Sequence, residues 1–327
     1  MREDFFLPMV LEVEDKTSPL QNRICKNYRH IRKWAKKTKT NCFRLYDRDI
    51  KEYPLAIDFY NGLFLVQYFP IDRDFQEKEQ IFKELVKGIL FTLFHAQENQ
   101  VFWRTKVKRA QMEQYEKIAE KKKLLQVLEH GVRFLVNVTD YQDVGLFLDH
   151  RPLRQKVASL AKGKSVLNLF AYTCSFSVHA AMAGACFTKS VDLSNAYTQW
   201  GEENFFCNQL SLHDHPIVRA DCLQFIEDEL AFGRRYDLIV IDPPTISRSQ
   251  KMEKMFDIQK DYEWLLTRAL LLLKKGGILF FSTNSRKFVF DETLFPSYRI
   301  KDISKQTIPL DFHSQKIHKS WEFHQLS

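Results

Sequence analysis

From Lys164 onward, short apolar runs and amphipathic segments alternate with a regularity that leaves few folds open. Residues 165–170, 189–193, 217–220, 236–241 and 278–282 read as strands. Between them, 175–185, 195–210, 223–230 and 257–273 read as helices. Strands that are apolar throughout must be covered on both faces, and helical crossovers make neighbouring strands parallel. The predicted class is therefore α/β, with a doubly wound sheet whose ligand lies beyond the carboxyl ends of its strands.

The preceding residues follow another pattern. Residues 42–46 and 55–69 read as strands, the latter as a pair turned by Asn61-Gly62, a strong hairpin signal. Residues 75–97 form an amphipathic helix, since Ile81, Leu85, Ile89 and Leu93 recur every four positions. Residues 101–108, 123–130 and 132–139 read as further strands, giving a smaller α+β domain over 1–150 ahead of the α/β domain over 151–327. No apolar run approaches the ~20 residues of a membrane span, and the acidic start Met1-Arg2-Glu3-Asp4 is not that of a secretory signal, so a cytoplasmic chain is expected. The six cysteines include no C-x-x-C pair and no Cys/His cluster, so no metal site is expected.

The turn after the first α/β strand narrows the ligand. It reads Asn168-Leu169-Phe170-Ala171-Tyr172-Thr173-Cys174-Ser175, without the glycines that let a backbone approach a pyrophosphate. An adenosine ligand lacking phosphates fits better than a dinucleotide. Asp192 closes the second strand, where a carboxylate can accept from both ribose hydroxyls. Asp221 closes the third, where a carboxylate and the Cys222 amide can read an adenine edge. Either aspartate singly could instead be a helix cap. Asp242-Pro243-Pro244-Thr245 closes the fourth; two prolines can neither extend the ladder nor start a normal helix, so they stiffen a projecting loop suited to pinning a planar base.

Together with Val191-Asp192-Leu193-Ser194, these motifs resemble the class I S-adenosyl-L-methionine (SAM)-dependent RNA methyltransferases. Gly145-Leu146-Phe147-Leu148-Asp149-His150-Arg151, Arg44-Leu45-Tyr46-Asp47, Lys251-Met252-Glu253 and Gln315-Lys316-Ile317-His318 extend the similarity almost end to end, towards the guanine-N7 half of the bifunctional 23S rRNA methyltransferase K/L family. The resemblance implies a Rossmann-like class I methyltransferase domain using SAM. The implied donor-binding set is Arg151, Asn168, Phe170, Tyr172, Thr173, Ser175, Asp192, Leu193, Ser194, Asp221, Cys222 and Asp242. The partner half, which methylates guanine N2, has no counterpart here. A free-standing enzyme is therefore implied, acting on 23S rRNA or a large-subunit precursor, with a separate guanine-N2 methyltransferase as a candidate partner. The family turn usually has glycine where this chain has Cys174, a position that favours positive φ.

Methylation of cytosine C5 needs a cysteine nucleophile, and Phe280-Phe281-Ser282-Thr283-Asn284-Ser285 offers no thiol after the fifth strand. An acceptor that already owns a lone pair, such as guanine N7, needs only alignment and desolvation. On this reading Asp242 orients the base, Pro243, Pro244 and Thr245 shape its slot, and Asn284 assists. Basic residues exceed acidic ones, 49 against 41. Eleven Lys/Arg between Gln21 and Lys51, and eight between Arg104 and Lys123, concentrate the excess in the first domain. Arg29, Arg32, Lys33, Lys36, Lys37, Arg104 and Arg109, with Arg286 after the fifth strand, are the expected RNA contacts. Another acceptor atom, or a silent RNA-binding assembly factor with the same fold, are the alternatives.

Overall fold

The computed structural model describes residues 7, 18–71, 75–106, 124–139, 143–247 and 255–326. They fall into two compact units, Met1–Val144 with Pro309–Ser314, and Gly145–Ile308 with Gln315–Ser327.

In the first unit, Ser18 caps helix α1 (Pro19–Thr38) by accepting from the Gln21 amide, and Pro19 supplies the preset φ of a first helical turn. One face of α1 buries Leu20, Ile24, Tyr28, Ile31 and Ala35, while Arg29, Arg32, Lys33, Lys36 and Lys37 are all exposed. Strands β1 (Cys42–Asp47), β2 (Leu55–Tyr60) and β3 (Leu63–Tyr68) form an antiparallel meander. Positive φ at Asn61 and Gly62 makes the tight β2–β3 turn that the Asn-Gly pair predicts. Helix α2 (Gln76–Phe94) crosses over so that β4 (Val101–Thr105) pairs parallel to β3. Strands β5 (Leu125–Glu129) and β6 (Val132–Val136) make a separate hairpin.

The second unit opens with helix α3 (Arg151–Leu160) and continues through β7 (Ser165–Leu169), α4 (Ser175–Met182), β8 (Phe187–Asp192), α5 (Asn195–Phe206), β9 (Ile217–Arg219) and α6 (Cys222–Ala231). It goes on with β10 (Tyr236–Ile241), the two-residue strands β11 (Ile246–Ser247) and β12 (Phe256–Asp257), α7 (Ile258–Leu270), β13 (Leu273–Thr283), β14 (Tyr298–Asp302), α8 (Ser304–Thr307) and β15 (Lys319–Gln325). Seven strands form one sheet, ordered β14-β15-β13-β10-β7-β8-β9. β13, β10, β7, β8 and β9 are parallel, and β15 runs antiparallel to β13.

Alternate side chains of the central strands feed two cores. Val166, Leu238, Val240 and Phe280 pack with Leu153 and Val157 of α3 and Phe176 and Ala180 of α4. Leu167, Leu169, Ile239, Ile241, Leu279 and Phe281 pack with Phe225 and Ile226 of α6 and Leu265 and Leu266 of α7. Each such fully buried Leu, Ile or Phe is worth roughly 1.5–3 kcal/mol, which explains why these strands carry no polar stripe.

Two departures from the sequence reading have local causes. β13 starts five residues earlier than expected, because Tyr236 pairs with Leu273 but Leu238 with Ile278, so the intervening residues bulge. Only glycine fits at 277, where a Cβ would lie 2.9 Å from the Lys274 carbonyl. The chain after β13, read as no particular element, adds β14 and the antiparallel β15 to the sheet.

Candidate active site

The chain winds outward from β7 through β8 to β9, then returns to place β10 on the other side of β7, so the switch in winding lies between β7 and β10. In such sheets a crevice opens there beyond the carboxyl ends. Phe170, Asp192, Asp221, Asp242 and Asn284 each follow or end one of the five parallel strands, so the sheet carries them to one edge.

The turn after β7 is held open by three left-handed residues, Phe170 (φ 56°), Tyr172 (φ 51°) and Cys174 (φ 63°). None is glycine, so each is a strained position that the surroundings must enforce. Asp192 does part of this: its Oδ2 accepts from the Tyr172 amide at 2.9 Å and its Oδ1 from the Ser194 amide at 2.9 Å. A carboxylate has about four lone-pair directions, so each oxygen keeps acceptor capacity for a ribose hydroxyl. Burial raises the Asp192 pKa, and the amides of Ser194, Tyr172 and Leu193 pull it back. Cys174 is tolerated because α5 presents Gly201 to it; a Cβ at 201 would stand 2.6 Å from the Cys174 sulfur.

Several side chains expected to contact the donor also brace this turn. The Asn168 amide, fully buried within β7, donates to Ser177 Oγ at 3.0 Å, and Ser190 Oγ donates to the same hydroxyl at 2.7 Å. Thr173 is completely buried and donates to the Gly145 carbonyl at 2.6 Å. Their side chains point into the protein because a strained, glycine-free turn needs its polar groups satisfied internally. Cys222 likewise accepts from the Phe170 amide through its sulfur at 3.2 Å. Asp221 caps α6, its Oδ1 accepting from Leu223 and Gln224, so the capping reading holds for it while Oδ2 keeps acceptor capacity. Ser194 caps α5 and accepts from Tyr197. Tyr172, Ser175 and Leu193 are half-buried at the edge, and Arg151 is buried at the start of α3. The ring of Tyr172 packs edge-on against Tyr197, centroids 4.5 Å apart.

Beyond β10 and β13, Asp242 and Thr245 are half-buried, Pro243 is buried and Asn284 is exposed. Thr245 Oγ1 donates to Asn284 Oδ1 at 2.9 Å, tying the proline loop to the tip of β13. Ser282 Oγ donates to Asp242 Oδ1 at 2.6 Å, and Asp242 Oδ2 lies 3.5 Å from His150 Nε2. The sequence reading did not assign Ser282 or His150 to the site; only their motifs marked them. The dipeptide Asp149-His150 and His318 also form the one His/Asp cluster among the described residues close enough to share an ion.

The expected RNA contacts separate. The α1 cations present a continuous exposed face and Arg286 is exposed. Arg104, on β4, donates instead to the Val138 carbonyl at 2.7 Å, because half-burial requires its guanidinium to be satisfied locally. Arg109 and the segment Lys251-Met252-Glu253 lie outside the described residues.

A strand-edge site with carboxylates at three strand ends and no phosphate-binding glycines suits an adenosine ligand better than a dinucleotide. The chain belongs to the S-adenosylmethionine-dependent methyltransferase family, whose model matches residues 48–325, and SAM is its cofactor. It is similar to the "Ribosomal RNA large subunit methyltransferase K" of Neisseria meningitidis serogroup B, 42% identical over 93% of this chain and 86% of that one. The "Ribosomal RNA large subunit methyltransferase K/L" of Desulfotalea psychrophila is also 42% identical, over 96% of this chain but 44% of its own length. The chain thus spans less than half of that relative. A crystal structure of a methyltransferase complexed with SAH shares the fold, with TM-score 0.70 and 24% identity over 95% of this chain and 83% of that one.

Proposed function

We propose that this chain methylates N7 of a guanine in 23S rRNA, in the cytoplasm, by direct in-line transfer. SAM supplies an electrophilic sulfonium methyl group. Asp192, Asp221 and the turn at 170–175 hold the nucleoside, and Asp242 with the proline loop holds the purine. The observation that carries the choice of acceptor is the state of the thiols. Cys174 and Cys222, the cysteines nearest the strand edge, are buried; burial pushes the Cys174 thiol up to about 12 and the Cys222 thiol well above its ordinary range. Neither is available as a thiolate, so covalent activation of a pyrimidine carbon has no nucleophile, and an acceptor with its own lone pair is favoured. The relatives' names supply the RNA class.

Mass spectrometry of nucleosides from 23S rRNA treated with the purified chain and SAM should show new 7-methylguanosine. Methyl on an exocyclic amine or on cytosine C5 would reject this acceptor, and no methyl at all would favour the assembly-factor alternative.

The exposed cations of α1 are proposed to engage RNA phosphates. Replacing Arg29, Lys33, Lys36 and Lys37 by alanine should weaken rRNA binding at low salt and flatten the plot of log affinity against log salt by about 0.7–0.9 for each phosphate no longer neutralised. SAM affinity should not change. An unaltered salt slope in a filter-binding titration would remove α1 from the interface.

A further inference from the structure

Two segments of the methyltransferase unit take no part in donor or acceptor recognition as derived so far: Asp149-His150, leading into α3, and His318, just ahead of β15. The pairing of Lys319 with Thr283 brings His318 to the sheet edge that carries Asn284. There the rings of His150 and His318 stack, centroids 4.7 Å apart and planes 18° apart. His318 places Nδ1 3.5 Å from Asp149 Oδ2, and Thr307 Oγ1 lies 2.9 Å from its Nε2. With planes so nearly parallel, the in-plane lone pairs of the two rings run alongside each other instead of converging on one ion. The arrangement is a brace.

His150 is 4% exposed, and its Nδ1 makes no hydrogen bond among the described residues. Its Nε2 faces two carboxylates, Asp242 Oδ2 at 3.5 Å and Asp149 Oδ2 at 3.8 Å. Burial lowers the pKa of His150 against the opposing pull of Asp242 and Asp149, which keeps the ring neutral near pH 7. A neutral imidazole carries one proton, and the acceptors stand at Nε2. The separation from Asp242 is long for a hydrogen bond, as contacts at catalytic groups often are before substrate binds.

We propose that His150 is a positioning residue for Asp242, its Nε2–H steadying Oδ2 while Ser282 steadies Oδ1, with His318 and Asp149 bracing the imidazole. The proposal rests on the reading of Asp242 as the residue that orients the acceptor base. With a donor on each oxygen, the carboxylate cannot rotate about its Cβ–Cγ bond, and its remaining lone pairs stay aimed at the slot. Without the imidazole donor it regains that rotation, and the purine loses its register with the donor methyl. Misplacement on the ångström scale costs about 10²-fold in rate.

The test is methyl transfer from radiolabelled SAM to deproteinised 23S rRNA taken from a strain lacking this enzyme, with the full-length chain. His150→Phe keeps volume and ring stacking but removes the donor; it should lower kcat by about 10²-fold, leaving the SAM dissociation constant unchanged. His150→Gln, which restores an N–H, should recover most of that loss. In an Asp242→Asn background, His150→Phe should add little, since both act through one carboxylate. Full kcat in His150→Phe, failure of glutamine to rescue, or losses that simply multiply in the double variant would each overturn the proposal. Full activity of Asp242→Asn itself, or methyl on an atom other than guanine N7, would instead overturn the acceptor reading on which it rests.

Discussion

Asp242→Asn is expected to lower kcat for methyl transfer by about 10²–10³-fold, with SAM affinity nearly unchanged. The substitution is almost isosteric, so the proline loop and its tie from Thr245 to Asn284 should survive. What changes is charge and donor count. Ser282 already donates to Oδ1, and His150 faces Oδ2. An asparagine amide must turn its NH₂ either towards one of these donors or towards the N–H edge of the purine, where donor meets donor. Alkylation at N7 leaves the purine positively charged, so a carboxylate hydrogen-bonded to its N–H groups gains most as the transition state forms. Single-turnover transfer with rRNA and calorimetric titration of SAM separate the two quantities. An unchanged rate with weakened SAM binding would leave Asp242 with only the donor-binding role that the family resemblance also implies.

The catalytic unit was readable from its sequence because burial imposes a simple rule there. Strands covered on both faces have little room for unsatisfied polar residues, so the middles of β7 (Val166-Leu167) and β10 (Leu238 to Ile241) stand out as apolar runs, and Asp192, Asp221 and Asp242 fall at or just beyond strand ends. Order along the sheet then follows from winding. Orientation of individual side chains within the turn does not. Asn168 and Thr173 sit in the glycine-free turn that narrowed the ligand, yet the structure turns both inward, since three left-handed residues without glycine demand internal hydrogen bonds. That strain was only partly foreseen, at Cys174, and its accommodation depends on Gly201, 27 positions away in sequence and on another element. The pairing of His150 with His318 was illegible for the same reason. Their separation in the chain is bridged only by the antiparallel return of β15, whose alternating Ser320, Trp321, Glu322 and Phe323 the sequence reading left unassigned. Among the basic residues, helical spacing placed the α1 cations on an exposed face, whereas Arg104 illustrates that a cation in a strand can be held by a backbone carbonyl.

Asp192→Ala should abolish measurable SAM binding, because two acceptor sites for ribose hydroxyls disappear and each hydrogen bond to a charged group is worth about 1.5–3 kcal/mol. The same change frees the amides of Tyr172 and Ser194, so the variant should also melt at a lower temperature. Asparagine separates the two effects: it retains one acceptor oxygen but places an NH₂ against one of the amides, so binding should suffer in Asp192→Asn as well. The pH dependence of the unaltered protein provides an independent check. Burial raises the Asp192 pKa in the folded protein. The folded state therefore holds this proton more tightly than the unfolded chain, and the group's contribution to stability falls as pH rises from the ordinary carboxylate value through the raised one. The ionised form accepts from ribose hydroxyls on both oxygens and through stronger, charge-assisted bonds, so SAM affinity should rise across that same interval. Opposite slopes of melting temperature and SAM affinity in one acidic window are the expected result, and Asp192→Ala should remove both. If SAM affinity is flat across the window, or the alanine variant binds as tightly as the parent, the β8 carboxylate does not hold the ribose.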